Sequence, residues 1–419
     1  MWVPGFISGR EKLWAYTVAT LVVLICWGVI FLEGGRIRSF DETAFIAIAD
    51  SLATHGRYAD ENGELTAYRA PGLIFFLAPL VKMGAGVVGL RLANALLVGL
   101  SLVVLFHFIR RISTPLAGLI AVALVPTWPV VIYASSTLYP QTLAALVLII
   151  TVNFLERLAH GPFPMVAALA GLSFGYLVLT IPVALLLLPV FLGWIVIHSR
   201  HRWMQSLVFC AVSLSLVGAW SMRNHMAFDT FIPVSTSAGY NLLVGNTPEA
   251  RHDTSTEIRF PEYVYADLTG ADEVAANRIM TRAAIREIRN DPLRAGTRYA
   301  GKFAHWFHFT NDLVSDKVID GGASGVGIGT REMVLLISYG GMILPLVVHV
   351  ALRRQFPFSP VELLFLCLWV GAGLAYAVFF TRVRFRLPFD WLIIAGNGMF
   401  LAALAERYMK HGRKNPRHG

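Results

Sequence analysis

Two adjacent carboxylates, Asp41 and Glu42, sit in Ser39-Phe40-Asp41-Glu42-Thr43, a few residues past the end of an apolar run from Leu13 to Leu32. That run of about 20 residues is long enough to cross the roughly 30 Å hydrocarbon core of a bilayer. A carboxylate held at such an interface can take a proton from an attacking hydroxyl, which is general base chemistry. It can equally cap a helix. Phe45, Ile48, Ala49 and Leu52 follow at the i, i+3, i+4, i+7 spacing of an amphipathic stripe. Asp41 is then an N-cap candidate for a helix lying on the membrane surface. Both readings stand on these residues alone.

Arginines form the complementary set. Arg69 precedes Pro71 and the apolar stretch Ile74 to Val81. Near the end of the chain, Thr381-Arg382-Val383-Arg384-Phe385-Arg386-Leu387-Pro388 falls between the last two apolar runs. Guanidinium pairs with phosphate in a planar, two-pronged fork, so anion binding is the favoured reading. Snorkelling to lipid headgroups is the alternative.

The elements that must position these residues belong to a membrane protein. The chain is 56% hydrophobic and only 15% charged, with a mean hydropathy of +0.61. This composition excludes an ordinary soluble domain. The first run is too long for a signal-peptide core, no small-residue cleavage site follows it, and it is read as a retained helix. Cys26, Cys210 and Cys367 lie inside apolar runs, as neither a disulfide framework nor a metal site. The net charge of +9 is a topology signal and points to no nucleic-acid partner.

Ten membrane helices are expected, at 13–32, 88–109, 114–134, 138–157, 163–180, 182–198, 203–220, 332–352, 359–380 and 388–405. With the N-terminus inside, the basic clusters at Arg10/Lys12, Arg110/Arg111, Arg200/Arg202, Arg353/Arg354 and the tail all face the cytoplasm. The fold class is therefore an all-α polytopic membrane protein. Residues 1–405 form a single transmembrane domain, and 406–419 are a basic cytoplasmic tail. Two long outer loops, 33–87 and 221–331, are too long to be mere connections.

In the first outer loop a helix at 42–54 precedes a polar turn at Asp60 to Glu64. A re-entrant or interfacial helix with Pro71 in its first turn comes next. A tight hairpin at Thr180-Ile181-Pro182 separates the fifth and sixth helices. In the second outer loop 271–290 is helical, and Trp306 and Phe307 suit the headgroup level. Gly325-x-Gly327-x-Gly329 is a weak nucleotide signal without strand–helix context and is read as a loop.

These motifs, in this order, resemble the GT-C membrane glycosyltransferases, in particular the bacterial branch close to protein O-mannosyltransferase and the lipid A aminoarabinose transferase. The resemblance is carried by Asp41-Glu42 in the first outer loop and by Arg69 before Pro71. It continues in Arg223-Asn224, Gly245-Asn246 and Arg384-Phe385-Arg386-Leu387-Pro388. It covers about 36 to 400. Two departures stand out. No large C-terminal outer domain is expected. Gln141, in Ser135-Ser136-Thr137-Leu138-Tyr139-Pro140-Gln141, occupies a place where relatives often carry a carboxylate.

The resemblance implies a GT-C-like bundle that moves a sugar from a polyprenyl-phosphate carrier to a cell-envelope acceptor: a lipid, glycan or protein hydroxyl. The reaction would run, with inversion, on the outer face of the cytoplasmic (inner) membrane. Asp41 would be the general base, and Glu42 would position sugar or acceptor or hold Asp41. Arg69, Arg384 and Arg386 would bind the donor phosphate, with Arg223 and Asn246 as lesser candidates. Tyr68, Gln141, Arg223, Asn224, Asn241 and Asn246 are candidates for substrate contact. No cofactor and no metal is expected. A transporter or flippase for lipid-linked sugars is the rival, disfavoured by the absence of an inverted repeat and by sparse charge within the helices. A polymerase or ligase of surface glycans would share the donor.

Overall fold

The computed structural model describes residues 10–161, 164–252, 258–309 and 328–414. Described residues are helical, apart from one antiparallel bridge between Ala59 and Leu65 and the connecting turns. Helix α1 (Glu11–Glu33) leads into a long connection carrying α2 (Phe40–His55) and α3 (Pro71–Lys82). Then follow α4 (Val87–Ile112), α5 (Pro115–Leu124), α6 (Val130–Ser135), α7 (Gln141–Arg157), α8 (Pro164–Thr180), α9 (Leu188–His198) and α10 (Arg202–Phe228). A second long connection carries α11 (Ser237–Asn246), α12 (Glu262–Leu268), α13 (Glu273–Asn290) and α14 (Pro292–Trp306). The chain closes with α15 (Ile328–Ala351), α16 (Pro360–Ala377) and α17 (Val383–Lys414).

Each of the ten expected spans has a helical counterpart, and seven are long and apolar enough to cross a membrane as they stand. The other three are shorter apolar pieces at 115–127, 164–180 and 182–198. Prolines explain the shortening, because each removes a backbone donor and forces its predecessor out of the helical region. The expected helix 114–134 breaks at Val125-Pro126-Thr127, a 3-10 turn, and resumes as α6. At the expected hairpin, α8 stops at Thr180, Ile181 is extended, and a 3-10 turn over Pro182–Leu187 feeds α9.

Two boundaries and two placements differ from expectation. The last helix begins at Val383 rather than 388 and contains Pro388, so the arginine stretch is its first turns and not a loop. It also continues to Lys414, well into the expected tail. The stripe of α2 is not on a bilayer surface: Phe45, Ile48 and Ala49 are buried, and α2 packs on α3. Trp306, expected at headgroup level, is 2% exposed and donates to the Trp369 carbonyl at 3.1 Å. Gly373 makes room for that indole, since a Cβ there would come within 2.7 Å of it.

The two long connections dock on each other. Glu273 accepts hydrogen bonds from the Thr66 hydroxyl (2.6 Å), the Ala67 N–H (2.9 Å) and the Thr236 hydroxyl (2.5 Å). Arg223 donates to the Tyr58 and Thr66 carbonyls, at 2.8 Å each. A charged partner makes such bonds about twice as strong as neutral ones. Both connections therefore occupy one end of the bundle, as an even number of crossings between them requires.

Candidate active site

At that end lies a cavity of about 510 Å³. Every connection that follows an odd-numbered span contributes to it. The first supplies Asp41, Tyr68 and Arg69; the third and the start of α7, Tyr139 and Gln141; the end of α8 and the fifth, Thr180 and Pro182; the seventh, Ser235 and Asn241; the ninth and the start of α17, Phe380 and Arg384. Five stretches far apart in the sequence therefore meet at this end of the bundle. The rest of the wall is mostly apolar, with Leu185, Leu186, Phe379 and Phe385, and adds Ser237, Tyr240 and Tyr376.

Asp41 sits between two guanidiniums. Its Oδ1 is 2.6 Å from Arg69 Nη2 and its Oδ2 is 3.5 Å from Arg384 Nη2. It lies in the first turn of α2, where the helix dipole favours a negative charge. It is not the cap: the Ser39 hydroxyl accepts the Glu42 N–H at 3.3 Å and fills that role. Arg69 is fixed through its backbone and its faces. The Tyr58 hydroxyl donates to its carbonyl at 2.9 Å, and its guanidinium lies over the rings of Phe45 and Tyr68. Burial pushes the Tyr58 hydroxyl well above its ordinary range, so it remains a donor. Arg384 lies 4.0 Å from the centre of the Tyr139 ring. Burial also raises Tyr139, so the phenol beneath Arg384 stays protonated.

Glu42 stands apart from the cavity lining. It is fully buried, and both of its oxygens accept from Arg91 Nη2, at 3.0 and 2.9 Å. It also accepts the N–H groups of Arg38 (2.8 Å) and Leu138 (3.0 Å). Arg91 reaches on to the carbonyls of Gly34 and Arg36. One ion pair thus ties the end of α1, the start of α2 and the Leu138-Tyr139 turn, and so sets both Asp41 and the ring beneath Arg384. Sequence reasoning missed Arg91, although a charge in the second turn of an apolar helix was its signal. Glu42→Gln is expected to destabilise the protein by about 3–5 kcal/mol, because it leaves a buried guanidinium without its counter-charge. The double change Glu42→Met with Arg91→Leu is expected to regain only part of that stability, because it removes the stranded charge but leaves the Arg38 and Leu138 N–H groups without their acceptor. Thermal unfolding of the purified variants in detergent checks both, and equal melting temperatures for Glu42→Gln and wild type would refute the clamp.

The other candidates divide by position. Tyr68, Gln141 and Asn241 line the cavity with Arg69 and Arg384. Gln141 is 4% exposed, and among the described residues its Oε1 has no hydrogen-bond partner. Arg386, expected beside the donor phosphate, is fully buried elsewhere. It pairs with Asp390 at 2.9 Å and donates to the Trp306 and His308 carbonyls at the end of α14. The helical start of α17 explains this: residues two apart point about 200° away from each other around a helix. Arg223, Asn224 and Asn246 are absent from the lining too. Asn224 donates to the Ile232 and Val234 carbonyls, and Asn246 to those of Leu242 and Val378.

These buried groups fasten the wall rather than face the space. Lys302 joins them, donating to the Gly245 and Phe379 carbonyls at 3.1 and 2.8 Å. Burial pushes its ammonium down to about 8. Gly245 allows this contact, as a Cβ there would fall 1.7 Å from the Phe379 carbonyl oxygen. Among the described residues no three His, Cys, Asp or Glu side chains gather as a metal-ligand set. The Gly325-x-Gly327-x-Gly329 stretch lies almost wholly outside the described residues.

No family model and no curated protein matches the chain by sequence. Solved structures do match. An archaeal oligosaccharyltransferase, AglB from Archaeoglobus fulgidus in complex with an inhibitory peptide and a dolichol-phosphate, superposes with a TM-score of 0.53 at 14% identity, over 98% of this chain and 53% of its own. The Archaeoglobus fulgidus oligosaccharyltransferase in the apo form gives 0.56 at 14% identity, over 97% and 52%. ArnT from Cupriavidus metallidurans bound to undecaprenyl phosphate gives 0.42 at 15% identity, over 92% and 78%. The chain spans about half the length of the two oligosaccharyltransferase structures.

Proposed function

From a chain with the GT-C fold of membrane glycosyltransferases, we propose an enzyme that transfers a sugar from a polyprenyl-phosphate carrier to a hydroxyl of a cell-envelope acceptor. The observation that carries this reading is the Asp41 carboxylate shared between Arg69 and Arg384 in an apolar-walled cavity. The dolichol-phosphate in the oligosaccharyltransferase complex supports a lipid-phosphate ligand for this fold. The apolar wall around Leu185, Leu186 and Phe379 suits a prenyl chain.

The charges balance through the step. Before reaction, the two guanidiniums face the Asp41 carboxylate and one phosphodiester charge, so the sum is zero. The acceptor oxygen attacks the anomeric carbon, and the bond from that carbon to the phosphate oxygen breaks with its electron pair leaving on phosphate. The acceptor proton passes to Asp41. Asp41 is then neutral, the phosphate is doubly charged, and Arg69 and Arg384 are released to it. The group that takes the proton thereby hands over the groups that stabilise the leaving anion. A single displacement inverts the anomeric configuration. Glu42 holds Asp41 in place through Arg91, while Tyr68, Gln141 and Asn241 contact substrate.

The test is release of undecaprenyl phosphate from a panel of undecaprenyl-phosphate hexoses and pentoses by the protein in proteoliposomes, with envelope extract as acceptor. Radiolabel is expected to move from lipid to acceptor. Movement of the intact labelled lipid between leaflets without transfer would establish the flippase reading instead.

The site is proposed to face the periplasm or cell exterior, with both chain ends cytoplasmic, on the segregation of basic clusters. Cysteines placed at Asn62 and Asp253 are expected to react with an impermeant thiol reagent in intact cells; labelling only after lysis would reverse the orientation. Asn62 is exposed in the Asp60–Glu64 turn, whereas Asp253 lies outside the described residues.

A further inference from the structure

The charges of the cavity limit which sugars it can take. We infer that the transferred glycosyl group is electrically neutral, bearing neither an ionised amine nor a carboxylate; this rests on the donor-phosphate reading above. Among the described residues the charged side chains of the lining are Asp41, Arg69 and Arg384. Together they carry one net positive charge, and the phosphodiester of a polyprenyl-phosphate sugar carries one negative charge. The cavity is then balanced with nothing left over.

A further charge on the sugar would enter an apolar-walled space without a partner, where burial of an unpaired ion is strongly unfavourable. A hexuronate would need another cation, but the neighbouring arginines are engaged. Arg386 holds Asp390 and the end of α14, and Arg223 holds the Tyr58 and Thr66 carbonyls. An amino sugar would need another carboxylate. Glu42 is committed to Arg91, and Glu273 to Thr66, Ala67 and Thr236.

What the cavity does present to a sugar is uncharged. Thr180, Ser235 and Asn241 line it. Among the described residues nothing donates to the buried Gln141 Oε1, and a sugar hydroxyl supplies that donor. Gln141 is the first residue of α7, a helix N-terminus at which a carboxylate would be electrostatically welcome. The neutral amide at that point makes Gln141 the specificity-determining residue against an ammonium.

Binding tests this apart from catalysis. The purified protein in nanodiscs is titrated, by intrinsic tryptophan fluorescence, with undecaprenyl-phosphate glucose, glucuronate and glucosamine, the last below the pKa of its amine. The glucose lipid is expected to bind at least about tenfold more tightly than either charged analogue, a difference of about 1.4 kcal/mol. Gln141→Glu is expected to lower that preference over glucosamine or reverse it. If wild type binds glucuronate or glucosamine as tightly as glucose, or no sugar lipid better than undecaprenyl phosphate, the inference is overturned. If it prefers the glucose lipid yet transfers no sugar to envelope extract, selectivity stands and the transferase reading falls.

Discussion

Asp41→Asn is expected to fold normally, to bind the lipid-linked donor at least as well as wild type, and to lose transfer by at least about 100-fold. The fold should survive because Ser39, not Asp41, caps α2. Donor binding should be kept or tightened, because Arg69 and Arg384 lose the carboxylate that competes with phosphate for them. Turnover should fall because the amide cannot accept the hydroxyl proton. A split is therefore predicted, with kcat falling and the donor Kd steady or lower. Steady-state transfer and donor titration on one reconstituted preparation measure it. An Asp41→Asn enzyme that turns over within a few-fold of wild type would remove Asp41 from the chemistry.

Arg384→Ala and Arg386→Ala are expected to fail in different ways, although the two residues are neighbours but one. Arg384 borders the cavity, stacks on Tyr139 and reaches Asp41. Its alanine variant should fold and lose about 10²–10³-fold in transfer, the usual cost of one preorganised charge-stabilising group. Lys should restore only part, as a point charge lacks the planar fork. Arg386 instead neutralises Asp390 in the interior and holds the end of α14. Its alanine variant should lose about 3–5 kcal/mol of stability through the stranded carboxylate. Melting temperatures and transfer rates of both variants decide the matter. Wild-type transfer by Arg384→Ala would return that residue to headgroup binding, and an undisturbed melting temperature for Arg386→Ala would undo its structural role.

Those two arginines also show where sequence reading stops. Their presence near the last span was plain, and a loop would let both turn to one anion. The chain instead starts α17 at Val383, and helical phase sends them to opposite faces. Glu42 makes the same point. Its type and place beside Asp41 suited catalysis, yet its partner lies 49 residues away on α4, and burial with Arg91 removes it from the cavity. Arg223-Asn224 and Asn246 were found as motifs but serve as fasteners of backbone carbonyls, a distinction that no local pattern records.

The sequence by itself determined the membrane class, the order of the spans, and the two long connections that carry much of the site. Each is written in local hydrophobicity, proline placement and the segregation of basic residues, which are properties of neighbours along the chain. Its motifs, through the family they resemble, also marked Asp41 and Glu42 together with Arg69, Arg384 and Arg386, of which Asp41, Arg69 and Arg384 share the cavity. Only the tertiary structure decided that these three meet, with Asp41 2.6 Å from Arg69 and 3.5 Å from Arg384, a residue 343 positions away. It likewise decided that Gln141 faces the same space with an unanswered oxygen. Such pairings depend on which faces five separate connections turn inward, and that is settled by packing among helices distant in sequence.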